Sequence, residues 1–404
     1  MDFSESEDHR LIRAAVRDVC ARFDDDYWAE RESTHTFPWA FYDAMAAGGW
    51  VGIALPEGYG GGGQGIEAAS IVLEEVAASG ACMNGASAIH MSIFGMRPVV
   101  RYGSEAMRTR YLPRIATGDL HVAFGVTEPD AGLDTTAITT RAVREGAGDD
   151  AVYRVHGRKV WTSKALESEK VLLLVRTTPV AECARRTDGL SLLLADLQDP
   201  SVTITPIPKM GRNAVASCEV AYDGLEVPVD DLVGEEGRGF RYLLDGLNAE
   251  RVLIAAEALG TGRAALRRAV AYAKERRVFG RSIGANQAVA HPLAEAHARL
   301  HAAGLVVREA AWILDGGRRS GAELDHGADE PAGEAANTAK FVAAEAGFFA
   351  ADTAVQTLGG FGYAAEYHVE RYFREARLQR LAPLPQAMAL NHLAQSVLGL
   401  ERSY

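Results

Sequence analysis

Apolar residues recur every three or four positions over the first 120 residues, which predicts amphipathic helices. The clearest example covers residues 8–23, where five apolar side chains share one helical face. The same spacing returns in residues 66–78, 86–102 and 105–116. Pro56 and the four-glycine run at 60–63 interrupt the pattern, as loops do. A helical unit is therefore expected over residues 1–121.

The pattern changes after this unit. Short β-rich segments separated by Gly, Asp and Pro predict strands, over residues 121–126, 152–161, 171–176, 190–197, 202–207 and 218–227. Helical spacing then returns, over about 240–276, 286–314, 335–358, 367–378 and 386–398. Residues 315–333, rich in Gly, Ala and acids, are expected to form a surface loop.

This helical, β, helical order predicts a multi-domain α+β fold. We expect an N-terminal helical domain over 1–121, a central β-barrel-like domain over 122–234 and a C-terminal helical bundle over 235–404.

Composition narrows the function classes. Lys and Arg number 42 against 54 Asp and Glu, a net charge of −12 that repels a nucleic acid backbone. Four widely separated cysteines form no disulfide framework and fit a reducing compartment. The start of the chain shows no secretion or transit signal, and no apolar run approaches the ~20 residues that span a bilayer. A cytoplasmic protein without a nucleic acid or membrane partner is expected.

Two short runs carry the candidate chemistry. Residues 124–134 (FGVTEPDAGLD) and 159–163 (KVWTS) lie at predicted strand ends and combine small residues, backbone amides and one indole, which suits a flat aromatic cofactor. Two further motifs are RRVFG at 276–280 and QTLGGFGY at 356–363. In order and spacing, the four motifs resemble those of the FAD-dependent acyl-CoA dehydrogenase family. The resemblance runs from Met1 to near the C-terminus.

The resemblance implies which residues hold FAD. Val126 and Thr127 would meet the pyrimidine edge of the flavin, Trp161 would pack on its ring, and Ser163 would donate to N5. The full implied set is Phe124, Val126, Thr127, Leu133, Trp161, Thr162, Ser163, Arg276, Phe279, Gln287, Gln356, Gly359 and Gly360. In the family, the last six reach the pyrophosphate and adenine of a flavin held mainly by a neighbouring subunit, which implies a homo-oligomer, either dimer or tetramer.

Some of these residues also have plainer explanations. Taken alone, Trp161 is more simply a plug in a β-core, because large aromatic side chains are usually buried. Gly359 and Gly360 can also end a helix. The other motifs favour the flavin interpretation of Trp161.

The usual catalytic base of the family is missing. Most relatives carry a Glu in a Glu-Gly-Thr loop near the C-terminus, and the sequence here has Pro383-Leu384-Pro385 at that point. Proline also lacks the N–H that the family's loop donates to the thioester carbonyl. That hydrogen bond would have to come from the N–H of Leu384, from another loop N–H if the register is shifted, or from the flavin ribityl hydroxyl alone.

Glu250 is the candidate replacement. A minority of relatives place the base on the long helix directly before an Arg, and Glu250-Arg251 resembles this arrangement. Glu250 shares an apolar helical stripe with Leu247 and Ile254, without a cation at the neighbouring turns. Such a carboxylate is either paired with another element or desolvated for use as a base. The missing loop Glu favours the base, whose pKa would be raised above ~4.3 by burial.

The resemblance implies α,β-dehydrogenation of an acyl thioester, acyl-CoA to trans-2-enoyl-CoA, as in fatty acid β-oxidation. Glu250 would remove the α-proton while the β-hydride passes to flavin N5. Asn248 and Arg251 match the family's substrate-facing turn, and Leu384 and Leu133 complete the expected substrate contacts. Leu133 replaces a Ser that bonds cofactor and carrier phosphates in many relatives. Electron-transferring flavoprotein is the implied acceptor, and the carrier, CoA or acyl-carrier protein, stays open.

Two other functions remain open. Relatives that are flavin-dependent monooxygenases or oxidases also lose the Glu-Gly-Thr base, and a degenerate partner subunit would bind flavin poorly. His297 and His301 stand four apart on a predicted helix, but no acid accompanies them at motif spacing, so no metal site is expected. The four arginines at 371, 374, 377 and 380 are expected on a solvated or salt-bridged helix face.

Overall fold

A computed structural model describes residues 5–317 and 330–401 of the chain. Seven helices form its first part: α1 Glu7–Cys20, α2 Asp25–Thr34, α3 Trp39–Ala47, α4 Gly65–Val76, α5 Cys82–Phe94, α6 Arg97–Tyr102 and α7 Glu105–Ala116. Side-chain oxygens cap three of them, because Ser6, Asp24 and Ser104 each accept from a backbone N–H of the first turn.

The single helix expected over residues 86–102 is two helices. α5 ends at Phe94 and α6 begins at Arg97, with Pro98 in the first turn of α6. Proline disfavours a helical conformation of the residue before it and cannot donate to the preceding turn, so the helix breaks here. The expected helix at 66–78 is α4, which continues into a π-helical turn at Ala77–Ala81.

A mixed eight-stranded sheet forms the central part. Its strands are β1 Val122–Gly125, β2 Arg141–Glu145, β3 Val152–Ser163, β4 Lys170–Arg176, β5 Leu190–Asp196, β6 Val202–Pro206, β7 Ser217–Pro228 and β8 Leu232–Val233. The order is β6-β7-β3-β2-β4-β5-β8, and β1 pairs in parallel with β4. β4 and β5 are almost entirely buried, as strands covered on both faces are.

The last part is helical again. It comprises α8 Gly239–Glu275, a hairpin of β9 Arg277–Val278 and β10 Arg281–Ser282, α9 Gln287–Leu314, α10 Glu330–Leu358, α11 Val369–Gln379 and α12 Gln386–His392. The helix expected over 386–398 is α12 followed by a π-helical turn at Leu393–Val397. Most of the surface loop expected at 315–333 lies outside the described residues.

The predicted order of helical, β and helical parts is confirmed. Helix α8 joins the parts, because it packs against α4, α5, α9 and α10 and its first turns contact β5. At 37 residues and 1.5 Å per residue it is about 55 Å long. Its buried residues Leu253 and Ala256 belong to the core shared by the N-terminal and C-terminal helices, while Leu243 belongs to the core beside the sheet. The intervening turns of α8, around residue 250, therefore lie where all three parts meet.

Candidate active site

A cavity of about 280 Å³ lies at this meeting point. It is bounded by α5, by the cradle loop (residues 124–134, which begin in the last residues of β1), by the end of β3, by one face of α8 and by the segment after α11. The residues that line it are Met83, Ser87, His90, Met91, Phe124, Val126, Thr127, Gly132, Thr135, Val160, Trp161, Ser163, Arg212, Leu243, Leu247, Glu250, Ile254, Leu378, Ala382 and Pro383.

A buried ion pair fixes the cradle loop. Lys159 Nζ lies 2.9 Å from Glu128 Oε1 and donates to the carbonyl of Val126 at 3.0 Å. Glu128 also accepts from the backbone N–H groups of Thr139 and Thr140. Burial raises the pKa of Glu128, but Lys159 and the other donors outweigh it and bring that pKa to about 2. The loop backbone facing the cavity is therefore held by a carboxylate that stays ionised.

Trp161 points out of the sheet into the cavity. Its φ is +60°, in the left-handed region that a bulky side chain rarely adopts. The register between β3 and β7 shifts between Lys159 and Thr162, so the indole sits on a bulge. Its side chain is 57% exposed, whereas the neighbouring Thr162 is fully buried and does not line the cavity. Trp161 therefore does not plug the β-core, because the bulge presents its ring to the site.

Arg212 forms a hydrogen bond with Ser163. The guanidinium donates to Ser163 Oγ at 2.9 Å and to Ser217 Oγ at 2.5 Å, with a longer contact to Ser87 Oγ at 3.4 Å. The sequence pattern gave no sign of this residue, because it lies in the loop between β6 and β7, far from any motif. Its position follows from the pairing of Ser163 with Ser217 in the sheet.

Glu250 lies on the apolar face of α8 together with Leu243, Leu247 and Ile254, as the helical spacing predicted. Within residues 5–317 and 330–401, no cation lies within ion-pair distance of its carboxylate. Burial raises its pKa to about 7, although the positive charges of His90 and Arg251 oppose that rise. At neutral pH the group can therefore take up and release a proton.

A second buried carboxylate lies two turns along the same helix. Glu257 Oε1 is 2.7 Å from Nδ1 of His90, and both side chains are buried. Burial disfavours the charged imidazole, but Glu257 outweighs this and raises the pKa of His90. His90, which lines the cavity, is thus held in place by Glu257.

The remaining expected substrate residues are more scattered. Arg251 donates to Asn248 Oδ1 at 2.5 Å, so these two residues contact each other, and neither lines the cavity. Leu384 and Leu133 do not line it either, although Pro383 and Gly132 beside them do. Leu133 is 62% exposed.

A separate surface cavity gathers part of the second group of expected flavin residues. It has a volume of about 540 Å³ and includes Arg276, Gly359 and Gly360. The Arg276 guanidinium lies over the Phe361 ring, 5.8 Å from its centroid. Gly359 has φ +62° with open space around it, a place where backbone is accessible to a ligand. Phe279 is fully exposed on the β9–β10 turn, while Gln287 and Gln356 lie outside this cavity.

Sequence models of the acyl-CoA dehydrogenase N-terminal, middle and C-terminal domains match residues 6–119, 123–225 and 237–398. The chain belongs to the acyl-CoA dehydrogenase family. It is 38% identical to the acyl-CoA dehydrogenase FadE12 of Mycobacterium tuberculosis, over 100% of this chain and 99% of that protein.

Two solved structures share the acyl-CoA dehydrogenase fold of the chain. A glutaryl-coenzyme A dehydrogenase in complex with glutaryl-CoA has a TM-score of 0.90 and 29% identity, covering 99% of this chain and 98% of that one. A structure described as electron transferring flavoprotein of Acidaminococcus fermentans has a TM-score of 0.87 and 30% identity, covering 98% and 100%.

Acyl-CoA dehydrogenases are FAD-dependent oxidoreductases, so this protein is a flavoprotein. The cavity fits a flat aromatic ring, because an exposed indole on a bulge faces it and the cradle backbone beside it is fixed by the ion pair of Lys159 and Glu128. Among the described residues, no three His, Cys, Asp or Glu side chains cluster as a metal site would require. His297 and His301 are both exposed. No helix in the described ranges has the length and apolar character needed to cross a membrane.

Proposed function

We propose that this acyl-CoA dehydrogenase oxidises an acyl-CoA to the trans-2-enoyl-CoA with Glu250 as the base. One observation carries the proposal. Of the described residues that line the cavity, Glu250 supplies the only carboxylate, and burial raises its pKa to about 7. A base with a pKa near the working pH combines the ionised form with enough proton affinity to act on a carbon acid.

Bound FAD would supply the acceptor for a hydride from the β-carbon of the acyl group. The residues of the chain accept the α-proton and position the reacting groups. Glu250 in its ionised form takes the α-proton at a carboxylate oxygen and becomes neutral, a change that its apolar neighbours Leu247 and Ile254 favour. Because Ser163 Oγ accepts from Arg212, the hydroxyl proton of Ser163 remains available for donation to the flavin.

The loop after α11 supports the assignment of a helix-borne base. Pro383 lines the cavity at the place where most relatives carry the loop glutamate, and it offers neither a carboxylate nor an N–H. The Glu250-Arg251 pair supports the subtype in which the long helix supplies the base. Arg251 donates to Asn248, and among the described residues it forms no ion pair with the carboxylate of Glu250.

The proposal extends to assembly and partners. Arg276, Gly359 and Gly360 face a cavity that shares no lining residue with the one containing Glu250. This supports a homo-oligomer in which one subunit holds the flavin ring and its neighbour the adenine side. The likeness to the structure described as electron transferring flavoprotein supports such a flavoprotein as the electron acceptor.

Anaerobic titration with acyl-CoA thioesters tests the reaction. Straight, branched and ring-bearing acyl groups are added to the purified holoprotein, and loss of flavin absorbance is recorded. In Glu250→Gln the flavin should remain bound while its reduction slows by about 10²- to 10⁴-fold, the usual contribution of a general base. Asp245→Asn is the matched control, because it makes the same change on α8 at a residue that pairs with Arg101 outside the cavity.

Three results would contradict the proposal. Reduction in Glu250→Gln within about tenfold of the wild-type rate would remove Glu250 as the base. Rapid oxygen consumption with an amine or aromatic substrate would indicate a monooxygenase or oxidase. Poor flavin occupancy, or no bleaching with any thioester, would indicate a non-catalytic partner subunit.

A further inference from the structure

Among the described residues, Arg212 is a partly buried cation at the cavity without a carboxylate in contact. Within the described parts of the chain, no Asp or Glu lies within ion-pair distance of it, and its three hydrogen-bond partners are the hydroxyls of Ser163, Ser217 and Ser87. Its Nε has no acceptor among those residues. An arginine removed from water is expensive unless an anion compensates it.

A buried arginine on α11 shows the contrast. Arg371 is 2% exposed, and Glu375 lies 3.3 Å from it. Burial lowers the pKa of Arg212, and the carboxylates of Glu257, Glu375 and Glu32 oppose this only from a distance. The guanidinium of Arg212 is therefore available to bind an anionic group of a ligand in the cavity.

The cavity has one polar edge and one apolar edge. Ser87, His90, Ser163 and Arg212 form the polar edge, and Leu243, Leu247 and Ile254 line the apolar one beside Glu250. Ser87 and His90 stand one turn apart on α5, and the Nδ1 atom of His90 lies 2.7 Å from Glu257 Oε1. Ser163 is assigned to the flavin, but a saturated acyl chain would offer Arg212 no group to bind.

We propose that the acyl group carries a second carboxylate, so that the substrate is a short dicarboxylic acyl thioester whose free carboxylate binds Arg212. This inference rests on the proposed function and narrows its substrate class. Arginine suits the role, because its N–H groups bind carboxylates through charge-assisted hydrogen bonds. A short chain fits, because Arg212 contacts Ser163, which is placed at the reacting end of the cavity.

Calorimetric binding tests this without turnover. In the Glu250→Gln holoprotein, glutaryl-CoA is compared with pentanoyl-CoA and with the monomethyl ester of glutaryl-CoA, which has the same chain without the charge. Glutaryl-CoA should bind about 10- to 100-fold more tightly than either neutral thioester. A further substitution, Arg212→Gln, should abolish the difference, while Arg212→Lys should keep part of it. Arg158→Gln, an exposed arginine on β3, is the control and should keep all of it.

The outcomes separate this inference from the proposed function. Equal affinities for the three thioesters, with pentanoyl-CoA still reducing the wild-type flavin, would overturn the dicarboxylate site and leave the dehydrogenase standing. Failure of every thioester to reduce the wild-type flavin would overturn the dehydrogenase itself. If Arg212→Gln loses flavin, the comparison of glutaryl-CoA with its monomethyl ester in the Glu250→Gln protein, which retains Arg212, still tests the inference. Equal binding of these two thioesters would mean that Arg212 only positions Ser163.

Discussion

Lys159 and Glu128 form a buried ion pair directly behind the cradle loop, with 2.9 Å between Nζ and Oε1. The same ammonium group donates to the carbonyl of Val126, whose side of the loop faces the cavity. The pair therefore links the stability of the sheet to the shape of the proposed flavin site.

Lys159→Met should lower both the stability of the protein and its flavin content. Glu128 would be left as a buried carboxylate without its cation, which typically costs about 3–5 kcal/mol. Thermal unfolding and the ratio of flavin to protein absorbance measure the two effects. Arg158→Met on the same strand removes only an exposed pair with Glu219 and should change stability by less than about 1 kcal/mol. Equal behaviour of the two variants would mean that the buried pair does not organise the loop.

Trp161 offers a test of the bulge. In Trp161→Gly the left-handed backbone is no longer strained, a relief of about 1–3 kcal/mol that offsets the packing lost from a side chain already 57% exposed. The apoprotein should therefore unfold within about 1 kcal/mol of wild type, while flavin affinity falls by at least about tenfold. Trp161→Phe should retain most of that affinity, because it keeps a ring. If Trp161→Gly instead unfolds the apoprotein, the indole belongs to the core.

Arg371 is a buried arginine with a structural role. It pairs with Glu375 at 3.3 Å and donates to the carbonyl of Gly80, and Glu375 in turn accepts from the backbone N–H groups of Met83 and Asn84 at the start of α5. Arg371→Met should destabilise the protein by about 3–5 kcal/mol, because the buried Glu375 loses its cation.

Chemical denaturation measures that loss. Arg185→Met is the control, because Arg185 is 73% exposed and pairs with Asp188 only at the surface. It should stay within about 0.5 kcal/mol of wild type. A similar small effect in Arg371→Met would show that the pair with Glu375 is dispensable.

Local patterns predicted what depends on local spacing. Helical periodicity placed Glu250 on the same face as Leu247 and Ile254, and the change from helical to β patterns predicted the order of the three parts. The same periodicity could not show that one member of the arginine stripe, Arg371, is buried, because Arg371 donates to the carbonyl of Gly80, 291 positions away in sequence.

Contacts between distant segments were not predictable for the same reason. Arg212 reaches Ser163 across 49 positions, and His90 reaches Glu257 across 167. Both contacts depend on sheet register and helix packing. A bulge in β3 likewise decides that Trp161 faces the cavity, and nothing in the alternation of its neighbours indicates where the bulge falls.

The raised pKa of Glu250 predicts a pH-dependent gain in stability when its charge is removed. In the folded protein the carboxyl group holds its proton up to about pH 7, whereas in the unfolded chain it holds it only to about 4.5. As the pH rises between these values, the unfolded state ionises first, so wild-type stability falls, by at most about 3 kcal/mol at pH 8.

Glu250→Gln removes this cost. At pH 8 the variant should unfold at a higher temperature than wild type, and the gap should shrink toward pH 5, where the folded wild type is itself protonated. Asp245→Asn should show no such gain, because the charge that this substitution removes is paired with Arg101 in the wild type. A structural carboxylate paired with another element would give the opposite sign, with Glu250→Gln less stable at pH 8. The direction of that one difference therefore separates a base desolvated for proton transfer from a carboxylate that holds the fold together.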